Sequence, residues 1–321
     1  MKNNLRIYFT SDLHGSDKCW KKFLAAPQFY GADIAIIGGD LTGKFIVPII
    51  KHPDGTADAT FLGIRRTLQN EKAIETIKWQ IADSGCYPYE MLQDEYERFK
   101  MDEHYMDDLF KGLILDRLER WVDYADDRFT KLNARCFVSA GNDDLFEADN
   151  ILHRSKTLEM CDGRVVDLGQ GIEMLGLGYS NITPWNCPRD IPEEELLEKI
   201  IALTESIKRM EYSIFNIHVP PYSSFIDFAP KLNEKMQVVL GPGGEPEMVP
   251  VGSTAVREAI LRFQPFLGVH GHIHESKGIR KLGRTTVVNP GSEYGEGILR
   301  GALIDIDIKE HRLKNIDLVS G

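Results

Sequence analysis

Five short apolar runs in this chain each stop at a glycine or polar turn that carries aspartate, asparagine or histidine. Asn4-Leu-Arg-Ile-Tyr-Phe-Thr-Ser ends at Asp12-Leu-His14, and Asp33-Ile-Ala-Ile-Ile-Gly-Gly ends at Asp40. Arg135-Cys-Phe-Val-Ser-Ala ends at Gly141-Asn142-Asp143-Asp144. Tyr212-Ser-Ile-Phe-Asn-Ile ends at His218, and Pro265-Phe-Leu-Gly-Val-His270 runs into Gly271-His272-Ile-His274. Apolar runs without polar alternation predict strands buried on both faces, in sheets covered by helices. The carboxyl ends of such strands are where α/β folds build sites. Glycine lets the backbone turn sharply there, so donors from separate strands can converge.

The turns mix hard carboxylate and amide oxygens with imidazole nitrogens. That mixture suits two divalent transition metals side by side. Calcium takes oxygen alone, and structural zinc sites favour thiolates. A D-x-H or a lone Gly-Asp arises often by chance; the ordered set of five carries the reading.

With these motifs in this order, the chain resembles the calcineurin-like metallophosphoesterase superfamily, in the style of the Icc-related predicted phosphoesterases of bacteria and archaea. The resemblance spans Asp12 to His274. It implies an α/β fold, a four-layer α-β-β-α sandwich. It implies one metal on Asp12, His14, Asp40 and His274, and a second on Asp40, Asn142, His218 and His272, with Asp40 bridging. The ions would be divalent transition metals, Mn2+ first, with Fe, Zn, Ni or Co as alternatives. The reaction implied is phosphoester hydrolysis by a hydroxide shared between the ions.

One position departs from the family pattern. Many members carry histidine directly after the asparagine, where it is thought to contact the phosphate and protonate the leaving group. Here that residue is Asp143. Beside two cations an aspartate is expected to stay ionised. It would donate no proton and would repel a dianionic phosphate. The expected catalytic set is therefore Asn142, Asp143 and His218, with a lean towards phosphodiesters. A phosphomonoesterase or protein phosphatase, or a non-catalytic binding scaffold on the same fold, are the alternatives. A second reading of Asp143 has Asp144 repelling it and pushing one carboxyl of the pair upward.

The chain has 321 residues, 42% hydrophobic and 27% charged, which suffices for a large core. Donors spread from end to end predict one domain over 1–321. A net charge of −11 argues against broad nucleic-acid binding, which needs a basic surface. A small phosphorylated substrate is compatible, because two divalent ions reverse the local field. Five cysteines without C-x-x-C spacing read as reduced thiols of a cytoplasmic protein. Met1-Lys-Asn-Asn-Leu leads directly into the first strand, so no signal peptide is expected. No apolar stretch approaches the ~20 residues of a membrane span.

About a hundred residues separate Asp40 from Gly141, where a βαβ unit needs only ~30. Residues 44–112 are expected to form an insertion. Lys44-Phe-Ile-Val-Pro-Ile-Ile-Lys and Ala59-Thr-Phe-Leu flank Pro53-Asp54-Gly55 and predict a hairpin. Ile64, Leu68, Ile74, Ile77 and Ile81 predict a helix ending at Ser84-Gly85. From Pro88 to Phe129 the spacing predicts one long helix or two, with a break at Gly112. The insertion starts beside the metal donors, so it reads as a lid, a buttress or a contact between copies of the chain. His52 and His104 within it are alternative proton donors. Asp17, Asp144 and Glu275 are candidates to orient a ligand histidine. His270 is expected to point away from His272.

Overall fold

The computed structural model describes residues 4–321, so Met1–Asn3, on which the signal-peptide expectation partly rests, lie outside the described residues. Two six-stranded sheets carry the five turns. The first has the order Arg312–Ser320, Arg300–Asp307, Asn4–Thr10, Ile34–Ile37, Arg135–Val138, Leu158–Met160. Its last four strands run parallel, and the first two close the edge antiparallel. The second has the order Gly278–Leu282, Thr285–Asn289, Leu267–Val269, Ile214–Ile217, Ile172–Leu177, Arg164–Gly169. Its four central strands are parallel, with an antiparallel strand at each edge. All five donor-bearing strands are thus parallel members, and their carboxyl ends lie on one side of each sheet.

The reason lies in the alternation hidden inside the apolar runs. Successive strand residues point to opposite faces. Ile7, Phe9, Ile34, Ile36 and Phe137 pack against Met174, Ile214, Leu267, Val269 and Val288 between the two sheets. The alternate residues Tyr8, Ala35, Ile37, Cys136 and Val138 meet Trp20 and Phe23 of helix Asp17–Tyr30 and Leu118 and Trp121 of helix Glu103–Phe129. On the other side, Leu175, Leu177, Phe215 and Ile217 meet Leu196 and Ile200 of helix Glu193–Thr204 and Val256 and Ile260 of helix Thr254–Phe263. Burying each such side chain contributes about 1.5–3 kcal/mol. Both strand faces are therefore committed, and polar residues concentrate where the strands end.

Residues 46–91 build a separate four-stranded sheet in the order Ile64–Leu68, Ala57–Phe61, Ile46–Lys51, Tyr87–Met91. Ile74, Ile77 and Ile81 of helix Glu71–Asp83 close a small core over Val47, Ile49, Phe61 and Leu68. This differs from the expectation at four places. Ile64–Leu68 is a strand, because Leu62 and Gly63 take positive φ and turn the chain back onto Ala57–Phe61. The helix begins only at Glu71, where the Asn70 side chain caps the Ala73 amide. Tyr87–Met91 is a strand parallel to Ile46–Lys51 rather than the start of a helix. The two helices that follow, Gln93–Met101 and Glu103–Phe129, break at Asp102, which caps the Tyr105 amide. Gly112 lies inside the second helix, in open space; one glycine costs a long helix only ~1 kcal/mol.

This segment returns against the turns that carry the candidate donors. Gly85 sits so close to the Asp12–Gly15 turn that an added Cβ would meet the His14 carbonyl oxygen at 2.3 Å. Arg117, buried on the long helix, donates to the Gly15 carbonyl (2.7 Å) and the Cys86 carbonyl (2.8 Å) together. Among the described residues, no helix is long and apolar enough to cross a membrane.

Candidate metal centre

Four of the donors sit on strained backbone. Asp12, His14, Asp40 and His272 take φ of 59°, 40°, 52° and 66°. Left-handed conformations cost a non-glycine residue about 1–2 kcal/mol, and such strain clusters at functional sites. Glycine makes the close approach possible at two of the turns. A Cβ on Gly141 would lie 2.1 Å from Asp40 Oδ1, and one on Gly271 would lie 2.3 Å from Asp12 Oδ2.

The turns bring seven side chains together in two adjacent groups, and Asp143 forms a third with His14 and Asp40. Asp12, His14 and His274 form one, with donor atoms within 4.8 Å of one another. His274 Nε2 lies 3.4 Å from Asp12 Oδ1 and 3.0 Å from His14 Nε2. Asp40, His218 and His272 form the other. Asn142 joins it, with Oδ1 2.9 Å from His272 Nδ1. Asp40 links the groups: its Oδ2 lies 3.4 Å from both His14 Nε2 and His218 Nε2. Asp12, His14, Asp40, Asn142 and His218 are buried, while His272 and His274 are half-buried.

The donor set fits metal ions. His218 Nδ1 lies 2.9 Å from the Gly38 carbonyl oxygen. That nitrogen carries a proton in either charge state, so Nε2 faces the Asp12 and Asp40 carboxylates with a second proton or with a cation in its place. His218 Nε2 and His14 Nδ1 are buried with no hydrogen-bond partner. Two imidazole nitrogens 3.0 Å apart likewise need a proton or a cation between them. Burial raises the carboxyls of Asp12 and Asp40, yet neighbouring imidazoles outweigh it and hold both below the usual range. Burial lowers His218, but Asp40 and Asp12 reverse this and carry it up to about 10. Burial keeps His14 and His272 neutral, at about 3 and about 4. The pocket holds two buried carboxylates and calls for positive charge, which divalent cations supply.

Asp143 stands at the rim. Its backbone amide donates to Asp40 Oδ1 (3.0 Å), and its Oδ2 lies 3.8 Å from His14 Nδ1. Burial and Asp40 push its carboxyl upward. Lys44, with Nζ 3.1 Å from Oδ2, opposes that shift.

Asp144 does not orient a histidine. It is fully buried and accepts from the amides of Leu41, Thr42 and Gly141 and from the Thr42 hydroxyl, at 2.7–3.0 Å. It ties the Asp40 turn to the Gly141 turn. Burial and Asp40 raise it to about 6. Asp17 accepts from the Trp121 indole (2.6 Å), and Glu275 is exposed. His52 pairs with Asp58 at 3.5 Å beside the separate four-stranded sheet, and His104 is 88% exposed on a helix. Neither belongs to a donor group. His270 turns Nδ1 to the Ile217 carbonyl (2.8 Å), away from both groups.

Sequence reasoning missed three contributors. Asp190 accepts the Asn142 amide nitrogen at 2.8 Å. Arg189 is buried and spans Asp149, Asp162 and the Asp144 carbonyl at 2.7–3.0 Å, holding the Asn142 loop from behind. The third is Lys44. The one signal for the Arg189-Asp190 pair is its place between two prolines after a strand end.

No family model matches this chain. Over 184 residues it is 31% identical to the uncharacterized protein MJ1162 of Methanocaldococcus jannaschii, a span that covers 56% of this chain and 71% of that protein. It superposes on the crystal structure of TT1561 of Thermus thermophilus with a TM-score of 0.52 and 15% identity, over 99% of this chain and 98% of that one. A second crystal structure aligns at a TM-score of 0.53, also with 15% identity, over 98% of this chain and 99% of the other. At that identity the likeness is one of fold.

Proposed function

We propose that this chain, which belongs to one family with the uncharacterized protein MJ1162 and has the calcineurin-like metallophosphoesterase fold, is a metal-dependent phosphoric ester hydrolase. The observation that carries this reading is the pair of adjacent donor groups joined at Asp40. We read the two sheets with their outer helices as a four-layer α-β-β-α sandwich forming one domain, with residues 44–112 inserted beside the site. The three clusters on and between the sheets support this.

Asp12, His14, Asp40 and His274 would hold one divalent transition-metal ion, and Asp40, Asn142, His218 and His272 a second, Mn2+ being our first choice for both. When bound, such ions supply charge for the phosphoryl oxygens and make water more acidic at neutral pH. The chain's own residues prepare that site. The Gly38 carbonyl fixes the His218 tautomer, Asp190 turns the Asn142 oxygen inward, and Asp144 fastens two donor turns.

The substrate we favour is a small phosphodiester. A carboxylate stands where an imidazole would meet the phosphate, and a monoanionic diester is repelled less than a dianionic monoester. The Lys44 ammonium beside Asp143 favours the other reading, a phosphomonoesterase or protein phosphatase, because it offsets that charge. Five unbridged cysteines support a cytoplasmic protein. Exposed Leu62, Ile64, Trp79 and Met101 on and beside the inserted sheet support contact with a second copy.

The test is turnover of matched aryl diesters and monoesters by metal-stripped protein reloaded with Mn2+. Hydrolysis that requires metal and disappears in Asp40→Asn supports the reading. A fully loaded protein that hydrolyses neither class would leave the binding scaffold.

A further inference from the structure

The residue that opens the insertion reaches back over the metal centre. Lys44 follows the turn Asp40–Gly43, and this turn is clamped by Gly85 and Tyr87 from within the inserted segment. The Gly43 amide donates to the Tyr87 hydroxyl at 2.9 Å, and an added Cβ on Gly43 would come within 2.0 Å of the Gly85 carbonyl oxygen. With its backbone held there, the Lys44 side chain extends to Asp143, Nζ to Oδ2 at 3.1 Å. Its charge acts on His14, Asp40, His274 and Tyr294 as well as on Asp143. Yet 37% of the side chain remains exposed, against 24% for Asp143. A cation thus stands at the open rim of a buried donor cluster, held by a carboxylate on one side and open to solvent on the other.

We propose that Lys44 is a substrate-contacting residue whose ammonium, steered by Asp143, donates to a phosphoryl oxygen entering the centre. The proposal rests on the phosphoesterase reading above and adds the group that meets the substrate's anion. An ammonium has three donors and no acceptor. Asp143 engages one, which leaves two for phosphate oxygens. Charge-assisted bonds of this kind are among the strong ones, and a lysine serves phosphate as a point charge. Asp143 then becomes a positioning residue. The imidazole expected after Asn142 is replaced by two residues from different turns, a carboxylate that anchors and an ammonium that binds.

The experiment is calorimetric titration of inorganic phosphate into the Mn2+-loaded protein, with bound metal measured in every sample. The variants are Lys44→Met, Lys44→Gln, Lys44→Arg, and Lys44→Met combined with Asp143→Asn. Loss of a charged hydrogen bond is expected to weaken phosphate affinity about tenfold or more in Lys44→Met and Lys44→Gln. Metal content should be unchanged, and Lys44→Arg should keep most of the affinity. The double variant decides between roles. If Lys44 touches phosphate, removing Asp143 as well leaves binding weak. If Lys44 serves only to neutralise Asp143, the double variant regains wild-type affinity and the proposal is overturned. Wild-type affinity in both Lys44→Met and Lys44→Gln overturns it too. A wild-type protein that hydrolyses no ester, yet binds phosphate in a Lys44-dependent way, would sink the phosphoesterase reading and keep the contact.

Discussion

Asn142 donates its amide nitrogen to Asp190 Oδ1 across 2.8 Å, and that bond decides which end of the amide faces His272. With the nitrogen engaged, the oxygen points inward, 2.9 Å from His272 Nδ1. Only the oxygen can serve a cation. Removal of such a supporting partner typically costs 10–100-fold in metal affinity. Asp190→Ala is therefore expected to weaken one of two metal equivalents by about that factor and to spare the other. Competition titration with a chelating dye reads both. Two unchanged affinities would show that the amide holds its orientation without Asp190.

Asp40 lies 3.4 Å from one histidine of each donor group. Asp40→Asn is expected to lower the occupancy of both metal positions, while His274→Ala lowers one. Metal analysis of the dialysed variants gives the stoichiometry, and turnover should fall further in Asp40→Asn. Retention of two metals by Asp40→Asn would contradict the bridging role.

Asp143 bears on substrate choice. The wild type is expected to show higher kcat/KM on activated diesters than on the matching monoesters. Asp143→His introduces an imidazole that can donate a proton, a contribution of about 10²–10⁴-fold when well placed. It also removes the anchor of Lys44. A gain in monoester turnover is expected, at the low end of that range. A wild type that prefers monoesters, with an Asp143→His variant that gains nothing, would place leaving-group protonation elsewhere.

Acid stability is expected to depend on a carboxylate outside the donor groups. Asp126 accepts from the Ser155 and Thr157 hydroxyls and from the Lys156 and Thr157 amides, at 2.6–3.0 Å. Burial raises its carboxyl, but these bonds outweigh it and hold the pKa below the ordinary value. A depressed native pKa means stability that is complete above the unfolded value of ~3.9 and is lost as pH falls through the folded one. Asp126→Ala should cost about 1–3 kcal/mol at pH 7. The gap between the variant and the wild type should narrow from about pH 4 downward. Urea unfolding at several pH values measures it; a gap that stays constant down to about pH 2 would exclude this origin.

Much of this architecture could be read from residues close together in the chain. The continuous apolar runs required sheets covered on both faces, which left the strand ends as the places for polar groups. That reasoning singled out Asp12, His14, Asp40, Asn142, His218, His272 and His274 as candidate donors, and the fold brings them together, because run and turn adjoin each other. It failed where the outcome depended on distant partners. Ile64 and Leu68 match a helical period, yet pairing with Ala57–Phe61 made them a strand. Lys44 and Asp143 lie about a hundred residues apart, and Asn142 and Asp190 lie 48 apart. Periodicity reports which face a side chain occupies and says nothing about which distant side chain it meets there. The chain's local pattern determined the five strand-and-turn units and the donor types. The tertiary structure decided which carboxylate anchors Lys44, which turns the Asn142 amide, and which ties two donor turns together, because those contacts exist only once the crossovers have closed.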